Sequence, residues 1–367
     1  MGDKMAGAQV FSVAYAVIAV GWRSLRSSEA DIKMRRLLLL LVCGLFLLCG
    51  HPVWGAQVRP LRQITSIPLP GVRGRIDHMS IDVHGGRLFV SALGNHTLEV
   101  IDLHRGKVIK TLTGLREPQG VLYVPGVNKI FLDSAGDGTC KVYDGTSYRL
   151  LDTIGFPSDA DDIRYDALRK RVYVGYGDYG NAGIGIINPA TDKVLATIPL
   201  PSHPEAFSLE ESPPRIFINI PSAGNMIAVA DRRKRAVISR WTVEGARENF
   251  PMAIDRTDHR LFVVTRSPAR LIVFDTNSGR QVASLPCVGV ADDMYYDSTH
   301  KLVLISGGDG FVDIFKQDDP DHYHLLQHLK TSPGARTSVF TSQTEQFYLA
   351  IPYHGGEPAE VRVYQIH

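Results

Sequence analysis

Cysteine is scarce in this 367-residue chain: there are four, and only Cys140 and Cys287 lie beyond residue 55. No Cys-x-x-Cys-His occurs, which excludes covalently attached haem. A surplus of one charge is also missing. The formal net charge is +2, and residues 1–55 hold six Lys and Arg against three Asp and Glu, so the remainder is close to neutral. Nucleic acid is therefore not an expected partner, because neutralising phosphates needs a concentrated basic face. The densest basic run, Arg232-Arg233-Lys234-Arg235, falls at a predicted hairpin tip and reads as solvated. No serine or cysteine carries a local nucleophile signature. Gly136-Asp137-Gly138 and Gly308-Asp309-Gly310 open no helix, so they read as tight turns rather than phosphate loops.

What is present is a repeat. A basic or amide residue followed by strand-forming residues recurs seven times, as Arg87-Leu88-Phe89-Val90, Lys129-Ile130-Phe131-Leu132, Arg171-Val172-Tyr173-Val174, Arg215-Ile216-Phe217-Ile218, Arg260-Leu261-Phe262-Val263, Lys301-Leu302-Val303-Leu304 and Gln346-Phe347-Tyr348-Leu349. The spacing, 41 to 45 residues, is that of propeller blades with four strands each. In the first repeat, residues 78–83, 88–92, 98–102 and 107–112 read as the inner, second, third and outer strands, separated by turn residues. The seventh repeat runs out after its third strand. Ser66-Ile67-Pro68-Leu69-Pro70 matches Thr197-Ile198-Pro199-Leu200-Pro201, the end of the third blade's outer strand, so an N-terminal strand is expected to complete the last blade. The fold expected is an all-β, seven-bladed β-propeller over residues 56–367. Cys140 and Cys287, on blades two and five, would stand nearly opposite one another, beyond disulfide reach, and are expected to be buried thiols.

Ahead of the propeller, residues 34–55 read as a secretory signal: Met34-Arg35-Arg36, an apolar stretch over 37–50, and a small-residue cleavage site at Val53-Trp54-Gly55. The stretch is short of the roughly 20 residues that span a membrane. Residues 1–33 are read as an extension upstream of a true start at Met34, with a first membrane segment over 9–22 as the alternative. The expectation is a released, exported monomer, periplasmic or extracellular.

Function is expected on the face that carries the inter-blade loops and the loops between second and third strands. There Gly175-Tyr176-Gly177-Asp178-Tyr179-Gly180-Asn181 and Pro352-Tyr353-His354-Gly355-Gly356-Glu357-Pro358 are long and polar, whereas the turns of the other face are short and alike. Aligning the blades where the chain enters each inner strand superposes Asp77, Gln119, Asp161, Glu205, Phe250, Asp292 and Arg336. The next position adds His78, Asp162 and Asp293. Carboxylates crowded at a channel mouth require a cation, an arginine or raised pKa values. Three uses stay open: hydrogen bonding to neighbouring blades, a ligand pocket in which Arg336 clamps an anion, or a divalent cation such as calcium on Asp161, Glu205 and Asp292. His322, His324 and His328 fall near an outer strand and read as solvated rather than metal-binding.

The strand phrases, with Tyr173-Val174 and Phe262-Val263, and third strands ending Val100-Ile101-Asp102, Val142-Tyr143-Asp144 and Val273-Phe274-Asp275, resemble the YVTN-type, YncE-like bacterial β-propellers over residues 61–367. Gly175-Tyr176 and Val264-Thr265 stand where that family's Thr-Asn would follow. The resemblance implies an exported bacterial protein from a family linked to surface or nucleic-acid binding, the latter not expected at this near-neutral charge; the acidic channel mouth is expected to hold a small molecule or a protein partner. Two other classes are kept beside it: a metal-dependent hydrolase or lyase similar to gluconolactonase-type and streptogramin-lyase propellers, and a scaffold subunit for electron transfer similar to the heavy chain of quinoprotein amine dehydrogenases. Binding is preferred to catalysis, and fold cannot choose among the three.

Overall fold

The computed structural model describes residues 60–367; the expected signal and the extension ahead of it lie outside the described residues. Within them the strands form seven four-stranded antiparallel sheets, each a meander, arranged in a ring as a seven-bladed β-propeller. Blade one comprises Met79–Asp82, Arg87–Ala92, Thr97–Asp102 and Lys107–Leu112, close to the expected ranges. The inner strands of the next five blades are Pro118–Val124, Ala160–Asp166, Phe207–Leu209, Arg247–Asp255 and Ala291–Asp297. Blade seven takes Ser338–Thr341, Gln346–Ile351 and Glu360–Ile366 from the C-terminus and Leu61–Pro68 as its outer strand, paired antiparallel from Leu61↔Ile366 to Pro68↔Glu360. The borrowed strand covers an edge that would otherwise expose unpaired backbone groups.

The core lies between blades rather than within one. Seven hydrophobic clusters each join two neighbouring sheets, and the aromatic ring of the recurring phrase sits in them: Phe89, Phe131, Phe217 and Phe262 are fully buried. Each such ring contributes about 1.5–3 kcal/mol relative to exposure, so every blade depends on both of its neighbours.

The basic residue that opens the phrase ties blades together. Arg215 Nη1 donates to Thr276 O at 2.7 Å, Arg260 Nε to Pro320 O at 2.9 Å, and Lys129 Nζ to Pro189 O at 3.1 Å; Arg87 does the same with Gly145 O. Every acceptor is in the turn before the outer strand of the following blade. At blade three the direction reverses. Arg171 bonds only its neighbour Lys170 O, and Arg232, from blade four's turn, reaches back to Asp166 at 2.6 Å and to Glu210 O. The expectation of a solvated basic run is therefore corrected at its first residue: Arg233, Lys234 and Arg235 are exposed, but Arg232 is buried in this reversed tie.

Blade six corrects the phrase itself. Asp82, Asp166 and Asp255 pair with Arg87, Arg171 and Arg260, whereas Asp297 pairs with Leu302. The phrase there starts at Leu302 rather than Lys301, which is in the turn, so blade six has no basic tie at this position. Cys140 is buried and free; Cys287 is also free but only partly covered. His322 and His324 lie exposed against Asp319 and Asp318.

Candidate functional site

The chain turns into most inner strands through a shared kink. Two residues before the aligned position, Glu117, Asp159, Glu248, Val290 and Gly334 all have φ between 39° and 81°. In blades two, three, five and six a register shift follows at once, as at Ala160/Ile163 and Ala291/Asp293. A bulge of this kind re-aims side chains that strict alternation would send to opposite faces. Successive residues such as Asp161 and Asp162 can then both turn toward the channel.

The result is one polar cavity of about 360 Å³ lined by all seven blades. Six of the seven aligned residues line it: Gln119, Asp161, Glu205, Phe250, Asp292 and Arg336. Asp77 is fully buried just behind, 2.8 Å from Arg75. Oriented with its amide nitrogen toward the two carboxylates, Gln119 bridges Asp161 at 3.1 Å and Asp77 at 3.3 Å.

The second aligned position has a different job. Asp162 accepts from the backbone N–H of its own neighbour Ile163 at 3.0 Å and of Phe207 on the next blade at 3.2 Å. Asp293 accepts from Ser338 N on the next blade at 2.8 Å, and its other oxygen lies 3.2 Å from His78 Nδ1. Hydrogen bonding between blades thus accounts for Asp162 and Asp293. No such bond from a neighbouring blade's backbone N–H is made to Asp161, Glu205 or Asp292 among the described residues; the partners of Asp161 and Asp292 are side chains.

Charge in the cavity is sorted by blade. Asp292 is gripped by three guanidiniums: Arg266 at 2.6 Å, Arg336 at 3.0 Å and Arg75 at 3.4 Å. Arg266 also lies over the Phe250 ring, 3.5 Å from its centroid, which explains the single aromatic in the aligned set as a platform for a cation. Across the channel, Asp161, His203 and Glu205 each direct a ligand-type atom within 4.8 Å of the others. His203 Nδ1 lies 2.8 Å from Gly177 O, a contact that leaves Nε2 to face Asp161 at 3.7 Å. A cation held by oxygen and nitrogen ligands would use this set. Asp292, expected with Asp161 and Glu205, is bound to arginines, and the third residue of this set is His203.

These surroundings move the titrations. Burial, reinforced by the nearby Asp161 charge, pushes Glu205 up to about 8; burial likewise pushes Asp77 up to about 7 against the pull of His78 and Arg75. Burial disfavours charge on His203, but Asp161 and Asp159 outweigh it and raise its pKa to about 9. Asp161 goes the other way, below the usual carboxylate range: burial opposes ionisation, and His203, His78 and Arg75 overcome it.

Sequence reasoning missed Arg75, His203 and Arg266. The first two occupy the shared position two residues ahead of Asp77 and Glu205, so extending the alignment backward by two would have found them. Arg266 is on the second strand of blade five, Arg260–Ser267, which outruns the six-residue second strands of the other blades.

No family model matches the chain, and no curated protein matches it. Among solved structures, a chain of hydrazine synthase from Kuenenia stuttgartiensis is similar over 85% of this chain and 99% of its own, with a TM-score of 0.68 and 15% sequence identity. At that identity the likeness is one of fold.

Proposed function

We propose that the protein is an exported binding propeller, of the YncE-like kind its repeats resemble, which holds a small polar molecule at the inter-blade mouth of its central channel. One observation carries this reading. Charged side chains from blades far apart in the sequence converge on a single cavity, whose volume lies at the lower end of the roughly 300–1,000 Å³ typical of small-molecule pockets. Two of the three carboxylates at the aligned positions of the cavity are paired, Asp292 with three guanidiniums and Asp161 with His203. Fixed, paired charge suits recognition better than proton transfer.

The test is a melting screen against small charged and neutral metabolites. A ligand at a hundred times its Kd adds about 2.7 kcal/mol, which raises the melting temperature by several degrees. Asp161→Ala should abolish that rise while melting near the parent. Asp162→Ala, which strands the N–H of Phe207, should melt lower even without ligand. If Asp161→Ala and Asp162→Ala were equally destabilised, Asp161 would be structural and the pocket reading would fail. Metal analysis and melting with a chelator address the hydrolase or lyase alternative; the expected result is no shift, whereas a stoichiometric ion lost with a drop in melting would favour that alternative.

A further inference from the structure

The arginine wall has more positive charge than its own carboxylates consume. Arg75, Arg266 and Arg336 share Asp292, and Arg75 alone also reaches Asp77. Arg336 approaches Asp292 through Nε, and neither of its terminal nitrogens has a protein acceptor among the described residues. Arg266 spends Nε on Ala291 O and Nη2 on Asp292, which leaves Nη1. Burial lowers the Arg266 pKa, and the neighbouring Arg336 and Arg75 add to the fall, although Asp292 pushes it up.

Ring order puts the opposite chemistry across the channel. Blade seven, which bears Arg336, faces the gap between blades three and four, where Asp161, His203 and Glu205 gather. The Glu205 carboxyl has no hydrogen-bond partner among the described residues and lines the cavity. Planar guanidiniums with free N–H pairs match the two oxygens of a carboxylate or phosphate. Carboxylates and an imidazole match hydroxyl or ammonium groups.

Resting on the pocket reading above, we propose that the ligand is a small organic anion, a carboxylate or a phosphate ester, carrying a hydroxyl or amino group. Its anionic end lies on Arg336, Arg266 and Arg75, and its hydroxyl or amine faces Asp161 and Glu205. Asp292 keeps the guanidiniums fanned and in place before the ligand arrives, so little side-chain order has to be gained on binding. The cavity volume limits the ligand to a metabolite rather than a polymer.

Calorimetric titration of the purified protein at low salt tests this, with glycerate and serine for the carboxylate arm, inorganic phosphate and glycerol 3-phosphate for the phosphate arm, and glycerol and glucose as neutral controls. The expected result is saturable one-site binding of members of one anionic arm, none of the neutral compounds, and weakening as salt rises. Arg336→Gln should weaken binding roughly 10- to 100-fold, and Arg336→Lys should restore part of it. If Arg336→Gln did not fold, Arg266→Gln would serve, with melting to confirm that the variant is intact. A neutral compound bound with undiminished affinity by Arg336→Gln would overturn the anion assignment and leave the pocket reading standing. Failure of every probe, anionic and neutral, to bind would overturn both.

Discussion

Arg232→Ala tests whether the inter-blade tie is a structural bond or a decorated hairpin. The Arg232 side chain is 2% exposed and that of Asp166 3%, their closest atoms are 2.6 Å apart, and Arg232 also donates to Glu210 O and lies 5.9 Å from the centre of the Tyr173 ring. Removing one partner of a buried pair typically costs about 3–5 kcal/mol, because the survivor is left charged and unpaired. Asp166 is not wholly abandoned: Arg169 still donates through its backbone N–H at 2.9 Å and its guanidinium at 3.1 Å. The expected loss is therefore about 2–3 kcal/mol, a fall in melting temperature on the order of 3–5 °C for a chain of this size. Arg233→Ala, one residue away and exposed, should change melting by no more than about 1 °C. In a double-mutant cycle Asp166→Asn and Arg232→Ala should be strongly non-additive. Equal melting of the Arg232 and Arg233 variants, or additivity in the cycle, would refute the tie.

Two further predictions follow from the same geometry. Glu205, Asp77 and His203 all have folded pKa values above their ordinary ones, near 8, 7 and 9; the folded state holds these protons more tightly than the unfolded chain. Their stabilisation is complete below the ordinary values and is lost as pH rises through the folded ones, so melting temperature should fall between about pH 5 and pH 9. Glu205→Gln, which cannot ionise, should flatten that fall, and an unchanged slope would show that Glu205 is an ordinary carboxylate. Gly120→Ala would place a methyl group 2.0 Å from Asp161 O; backbone must then move, at about 1–3 kcal/mol or more, and denaturant titration should show the loss together with weakened ligand binding, because the moved strand carries Asp161.

Much of this was legible because a propeller repeats its backbone. Once the period was known, counting placed the seven aligned residues at one height around one channel; six of them line its cavity, and Asp77 is buried just behind. The same counting settles blade six: the aligned inner residue precedes the opening residue of the phrase by ten in every blade, from Asp77 to Arg87 through Asp292 to Leu302. The resemblance of Lys301 to the other basic residues hid that offset. What could not be read was pairing. Whether Asp292 binds a cation or an arginine depends on Arg266, which arrives from a second strand of unusual length, and no periodicity announces an extra two residues. Arg232 was misread for a related reason: composition makes a four-residue basic run look solvated, but the turn sends its first member inward to replace a tie that Arg171 does not make.

The consecutive acidic pairs Asp161-Asp162 and Asp292-Asp293 illustrate how one strand start serves two purposes. In a regular strand the two side chains would point to opposite faces, and one of them would be lost to the channel. The register shift at the same point in blades three and six removes that constraint. The deeper carboxylate then fastens the next blade, through Phe207 N or Ser338 N, while the shallower one stays at the cavity, with His203 or with the arginines. In these two blades the second residue holds the blade interface, which leaves the first to the cavity. Around the ring the aligned position carries carboxylate, amide, aromatic and guanidinium groups, and the sorting of charge across the channel is a property of that position together with Arg75, His203 and Arg266.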